Sequence, residues 1–337
     1  MARRTVWALS FLAMFNCSFV SAQRGPVESA LPLQLYAQHL IVVQGSIGSL
    51  GKRNLVIDTG AYPSIIDRSI ARKMKLSGPE ENLDAVNQTL KRVAVLVPSV
   101  DLGPIHSTNV RTLVDDLSPI SQELGLRIDA LIGMDVLSHS SFRIDYVSKR
   151  IFFGPVMPLP SSAPFENVDS MICVALRMGR QTLRLLVDTG AEKTLLFGTH
   201  VSELSGRSQP AREFHNLAGR FTLRQIRLQS LELGDTDVAE QPIFISDAAK
   251  LPPYQFDGFL STLQFQQIAF DFERQEFSWM TKDRRVNRVD VASSSADVPP
   301  YVVWSGERGS EPRPTLRSEE TVSHWPRAPF SSVMDGR

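Results

Sequence analysis

Between residues 31 and 280 the apolar positions come in short runs, separated by clusters of Gly, Asn, Asp and Pro. Leu40-Ile41-Val42-Val43 precedes the turn-rich segment 45–54 and Leu55-Val56-Ile57 follows it, which predicts a β-hairpin. Residues 171–178 alternate as a strand does. Only residues 65–76 mix charged and apolar side chains at near-helical spacing, with 134–137 as a further candidate turn of helix. Strands therefore dominate, and the expected fold class is all-β with short helices. From Thr281 onward the apolar runs give way to Ser, Arg, Glu and Pro, so residues 281–337 are expected to be a tail with little fixed structure.

The pattern occurs twice. Leu55-Val56-Ile57-Asp58-Thr59-Gly60-Ala61 returns as Leu185-Leu186-Val187-Asp188-Thr189-Gly190-Ala191, and Val100-Asp101-Leu102-Gly103 as Leu231-Glu232-Leu233-Gly234. Asp129-Ala130-Leu131-Ile132-Gly133 corresponds to Asp257-Gly258-Phe259-Leu260-Ser261, and residues 142–153 correspond to 269–279. Four blocks in one order mark a duplication. The units run over residues 31–155 and 166–280, joined by residues 154–164, whose prolines argue against regular strand pairing.

Each unit carries an aspartate at the end of an apolar strand, followed by Thr-Gly. The strand anchors the loop, glycine lets the chain turn sharply, and the carboxylate is displayed at the turn. One Asp-Thr-Gly is a weak signal; two at equivalent places of a duplication are a strong one. Carboxylates held in contact cannot both ionise cheaply, so they share a proton. The ionised member can then act as base on water while the protonated one donates to a carbonyl oxygen. Other chemistries lack support. Residues 45–53 fail as a phosphate loop, with Ser46 for the first Gly and Arg53 for Ser/Thr. Histidines 39, 106, 139, 200, 215 and 324 lack metal-ligand spacing and are expected at the surface or in structural roles. No G-x-S-x-G elbow is present, and Cys173, on a strand pattern, reads as a buried structural thiol. The repeated Asp129, Asp145, Asp257 and Asp271 are expected at strand ends and turns.

On residues 55–61, 131–137 and 185–191 the chain resembles the retropepsin-like and pepsin-like aspartic peptidase superfamily, in a tandem form like the bacterial retropepsins. That resemblance implies two homologous lobes related by a pseudo-two-fold axis, with Asp58 and Asp188 as the catalytic pair. It implies that Thr59 and Thr189 hydrogen-bond across the lobe interface, that Gly60 and Gly190 line the loop backbone, and that a hydrophobic-hydrophobic-Gly segment packs behind each loop. The implied activity is aspartic endopeptidase, hydrolysing peptide bonds of an extended polypeptide directly, with no metal or organic cofactor. Flap hairpins would fall at residues 87–93 and 216–222, neither with the tyrosine of pepsin-like flaps. Two departures stand out. Ala61-Tyr62-Pro63-Ser64 breaks the Gly-Ala-acidic pattern that Gly190-Ala191-Glu192 keeps, and Ser261 replaces the second unit's Gly, where its side chain would distort lobe two. Ser261 keeps open an alternative of another class, a non-catalytic peptide-binding module on the same fold.

With 337 residues, 42% of them hydrophobic, the chain can build two cores. Basic and acidic residues balance at 36 each, which favours neither nucleic acid nor an anionic membrane as partner. Arg3 and Arg4 precede an apolar run, residues 6–20, and Val20-Ser21-Ala22 resembles a cleavage site, so residues 1–22 read as a secretory signal peptide and the protein as secreted or periplasmic. The alternative is an uncleaved N-terminal anchor, although the run is shorter than the roughly 20 residues that span a bilayer. Cys173 would then be the one cysteine of the mature chain, so no internal disulfide is expected. Because both aspartates lie on one chain, a monomer is expected to be sufficient.

Overall fold

The computed structural model describes residues 29–85, 88–168, 170–198, 201, 211–216, 219–238, 242–246 and 255–282; the expected signal peptide and, beyond Lys282, the expected tail lie outside them. The described chain is mostly β-strand, in two lobes. Strands Leu40–Ile47 and Leu50–Ile57 pair antiparallel and turn at Gly48 and Ser49, so they run on through most of the turn-rich segment, with a register shift between Gly45 and Ile47. Leu50–Ile57 also pairs in parallel with Ala130–Ile132, Leu55 opposite Ala130 and Ile57 opposite Ile132. With strands on both sides and packing on both faces, Leu55, Val56 and Ile57 are all fully buried, which is why the run is continuously apolar instead of alternating. Ile65–Asp67 then pairs antiparallel with Ala130–Ile132 and parallel with Ile105–Asp115.

The second lobe repeats these pairings. Gln181–Asp188 pairs antiparallel with Met171–Met178 and in parallel with Gly258–Ser261. Thr194–Phe197 pairs antiparallel with Gly258–Ser261 and parallel with Ile243–Ser246. The lobes meet through one six-stranded sheet, in the order Ser29–Tyr36, Arg150–Phe153, Phe142–Asp145, Phe265–Asp271, Glu276–Thr281, Ser161–Val168. Its centre is the antiparallel pair Arg143 and Ala269, one from each lobe and equivalent in the repeat, with Ile144–Ile268 and Phe142–Phe270 paired on either side of the pseudo-two-fold. Phe142 and Phe270 pack beside it with ring centroids 4.7 Å apart, inside an apolar core that draws on both lobes.

The proline-rich connection differs from expectation. Residues 161–164 pair with Trp279 to Glu276, and 165–168 turn to pair with Val174 to Met171. The strand Ser29–Tyr36 does the same in lobe one, its first half on Phe153 to Arg150 and its second on Val43 to Leu40. Pro32 and Pro164 occupy equivalent positions, opposite Arg150 and Glu276. Each lies on an edge strand of the six-stranded sheet, where a missing N–H costs no ladder bond.

The expected helix over 65–76 divides. Ile65–Asp67 is strand, and Asp67 caps the helix Arg68–Lys73 by accepting from Ser69 N at 2.9 Å. Met134–Leu137 is helical. A helix not anticipated, Ser118–Leu124, starts around Pro119 and stops at Gly125 with φ of 60°. No helix of the described residues is long and apolar enough to cross a membrane.

Candidate active site

Asp58 and Asp188 end the two central strands, each fully buried. Gly60 N–H donates to Asp58 Oδ1 at 2.9 Å, and Gly190 N–H to Asp188 Oδ1 at 2.7 Å, so each loop folds back on its own carboxylate. The loops also touch each other. A Cβ on Gly60 would lie 2.5 Å from Asp188 Cγ, and one on Gly190 would lie 2.9 Å from Asp58 Cγ. Only glycine permits that approach of backbone to the opposite carboxylate.

Thr59 and Thr189 lock the loops reciprocally. Thr59 N–H donates to Thr189 Oγ1 and Thr189 N–H to Thr59 Oγ1, both at 3.0 Å. Each hydroxyl passes its own hydrogen to the opposite strand, Thr59 to Val187 O at 2.7 Å and Thr189 to Ile57 O at 3.1 Å. Four buried hydrogen bonds therefore bridge the lobes at the level of the aspartates.

Burial is the main influence on both carboxyls. It lifts Asp58 well above the usual carboxylate range, and the charge of Asp188 lifts it further. It lifts Asp188 as well, against the opposing N–H of Gly190. Oδ2 of each carboxylate is buried and receives no donor from the described residues. Two desolvated carboxylates in contact retain a proton between them, and the pair titrates as a unit.

Behind the first loop, Gly133 presses on Ala61, whose carbonyl accepts Met134 N–H at 2.9 Å. Gly133 N–H donates to Ser64 Oγ at 2.9 Å, and Ser64 donates from Oγ at 2.6 Å and from N at 3.0 Å to Asp135 Oδ1. Burial raises Asp135 above its ordinary range, opposed by those two bonds. Behind the second loop Ser261 does not distort the chain as expected. Its N–H meets Thr194 Oγ1 at 3.2 Å, as Gly133 meets Ser64, and its Oγ donates to Ala191 O at 2.8 Å. The hydroxyl thus serves the carbonyl that a backbone N–H serves in lobe one. Ser64 and Thr194, which the sequence reading passed over as site residues, stand six residues after each aspartate, so extending the repeat by a few positions exposes them.

The flap candidates fall on hairpins, Glu80–Ala85 with Gln88–Leu102 and Ala211–Asn216 with Gly219–Ile226; their tips, 86–87 and 217–218, lie outside the described residues. The repeated aspartates hold turns. Asp129 accepts Asn54 N–H as Asp257 accepts Arg184 N–H, and Asp145 and Asp271 each accept two N–H groups of the turn that follows. Cys173 is buried on the strand Met171–Met178. Among the histidines, His106 pairs with Asp101 and His139 with Ser107 near the surface, whereas His39 is buried. His200 and His324, and the side chain of His215, lie outside the described residues.

A family model described as aspartyl protease matches the chain twice, at residues 43–136 and 174–262, more than half of its length. No curated protein matches it.

Proposed function

The chain belongs to the aspartyl protease family, and from its site we propose that it hydrolyses peptide bonds of extended polypeptides with Asp58 and Asp188 acting as one catalytic unit. The observation that carries this reading is the reciprocal contact of the two loops, in which each glycine leaves room for the opposite carboxylate. The ionised member of the pair takes a proton from a water whose oxygen attacks the scissile carbonyl carbon. The protonated member donates to the carbonyl oxygen, giving a tetrahedral diol. The member that now holds the proton gives it to the amide nitrogen while the other takes one from a diol hydroxyl, so that the carbonyl re-forms, the C–N bond breaks and the pair again holds one proton. Thr59 and Thr189 position the carboxylates, and Gly60 and Gly190 orient them through their N–H groups.

Because both carboxyls are raised by burial, the singly protonated state persists above the ordinary carboxylate range. The alkaline limb of activity belongs there, less acid than an exposed pair would give. One chain supplies both halves, so the working unit is a monomer, acting outside the cytoplasm after export by residues 1–22. The binding-module alternative drew on distortion by Ser261, and the hydrogen bonds around Ser261 remove that ground.

Digestion of a denatured protein at mildly acid pH tests the reading. Peptides should appear with the wild-type chain and not with Asp58→Asn. Equal release by both, or none by either, removes the proposal.

A further inference from the structure

His39 closes the turn between strands Ser29–Tyr36 and Leu40–Ile47, where Ala37 and Gln38 have φ of 45° and 65°. Ile41 lies opposite Ile57, so His39 sits just past the end of the ladder at which the neighbouring strand runs into Asp58. The residue is 1% exposed. Its Nδ1 is 2.8 Å from Ala37 O, and a carbonyl only accepts, so Nδ1 carries the hydrogen of the neutral ring. Nε2 then presents a lone pair, buried and without a hydrogen-bond partner among the described residues. An orphaned buried nitrogen next to a catalytic loop calls for a partner.

The charged side chains that act on this imidazole come from the other lobe. Glu192 favours a proton on it and Lys193 opposes one. They follow Asp188 by four and five residues, on the second aspartate loop. Glu192 and Lys193 pair with each other at 2.7 Å, with side chains 25% and 36% exposed, a weak tie that exchanges readily. We propose that His39 is a positioning residue for the second aspartate loop: on taking a proton at Nε2 it binds the Glu192 carboxylate, which leaves Lys193, and the lobes gain an ion pair. The arrangement is one-sided, because Tyr62 occupies the place of Glu192 in lobe one.

Burial holds His39 below the ordinary histidine range, so the ring is neutral at neutral pH and the proton arrives in acid, where an aspartate pair works. Unaided, such a group contributes stability above its unfolded pKa that is lost as pH falls through the folded one. The ion pair offsets that loss. The ion pair therefore acts on stability, which is measured independently of proteolysis.

Thermal melting of the full chain, of His39→Gln, of Glu192→Gln and of the double variant tests it near pH 5 and pH 8. Near pH 5, Glu192→Gln should lower Tm by about 2–4 °C when His39 is present, and not at all in the His39→Gln background. Near pH 8 it should change little in either. An equal effect of Glu192→Gln with and without His39 in acid overturns the proposal. Should His39→Gln not fold, Glu192→Gln alone decides, because its Tm loss must be larger at pH 5 than at pH 8.

Discussion

At the aspartates the two lobes are near-copies, and one layer behind them they part. Thr59 and Thr189 exchange N–H bonds of equal length, and Gly60 and Gly190 serve their own aspartates alike. Behind the first loop, however, backbone lies on backbone, and a carboxylate, Asp135, fastens Ser64. Behind the second, a hydroxyl fills the gap, and Leu263 stands where Asp135 would be. The loop carbonyl receives one hydrogen in each lobe, from Met134 N–H in one and Ser261 Oγ in the other. What the duplication retains is the satisfied acceptor and not the group that satisfies it. A buried carbonyl left without a donor costs more than a changed donor does.

If the dyad is one unit, the two sides must be equivalent in catalysis despite their different supports. Asp58→Asn and Asp188→Asn should each lower turnover by about 10³-fold or more, and the double variant should match either single, because members of a catalytic unit are not additive. Activity per chain should hold across a dilution series. An Asp188→Asn variant that keeps substantial turnover, or activity that falls on dilution, breaks the equivalence and points to pairing between chains.

The supports should respond unequally. A Cβ at Gly133 would stand 2.3 Å from Ala61 O, a backbone atom that cannot swing aside. Gly133→Ala should therefore cost about 3 kcal/mol, the upper end for overpacking. Ser261 already carries a Cβ without displacing its loop, so lobe two tolerates at that position what lobe one does not. Urea unfolding measures the difference. A Gly133→Ala variant as stable as wild type would mean the first loop yields more easily than its contacts imply.

Ionisation gives a third, smaller effect with a definite sign. Both aspartates have raised values in the folded protein, whereas the unfolded chain ionises near ~3.9. A raised group contributes stability that is full below the unfolded pKa and is lost as pH rises through the folded one. Asp188→Asn leaves Asp58 beside a neutral amide and removes part of that loss. The variant should gain on wild type between pH 5 and pH 8 by at least about 1.4 kcal/mol, one pK unit's worth. Denaturant midpoints at the two pH values read it. No gain would mean the carboxyls ionise in the fold as freely as in water.

Much of this arrangement was legible in the chain because duplication writes each feature twice. The apolar run into Asp-Thr-Gly gave the central strands, and the repeat gave the two lobes. The turn-rich 45–54 misled because glycine marks both turns and bulges, and the structure uses Gly48 for a turn and the stretch from Gly45 to Ile47 for a register shift. Pro164 argued against pairing because propensity does not distinguish an edge strand from a central one; its counterpart Pro32 held the correction, since a proline repeated in register belongs to the fold. Ser261 could not be judged from sequence, since its effect depends on whether a carbonyl lies within reach of the hydroxyl. His39 was equally illegible, because nothing in a turn sequence reports that its ring will be buried.

Ser261 also supplies the smallest and most discriminating test. Ser261→Ala keeps the Cβ that lobe two accommodates and removes only the oxygen, so Ala191 O loses its donor without any clash. The expected cost is about 1–2 kcal/mol, the penalty of an unsatisfied buried acceptor, read as a fall in Tm of about 2–8 °C. Ser261→Gly makes the second lobe match the first in sequence at this position. It should nonetheless be no more stable than Ser261→Ala, for two reasons. Glycine adds freedom to the unfolded chain, and the closure seen in lobe one is backed by Asp135 on Ser64, whereas lobe two has Leu263 and Thr194 at those places. If Ser261→Gly instead recovers wild-type stability, Thr262 N–H must have moved onto Ala191 O as Met134 N–H lies on Ala61 O. The two lobes would then differ only by that side chain, and the asymmetry behind the loops would be a local substitution without wider support.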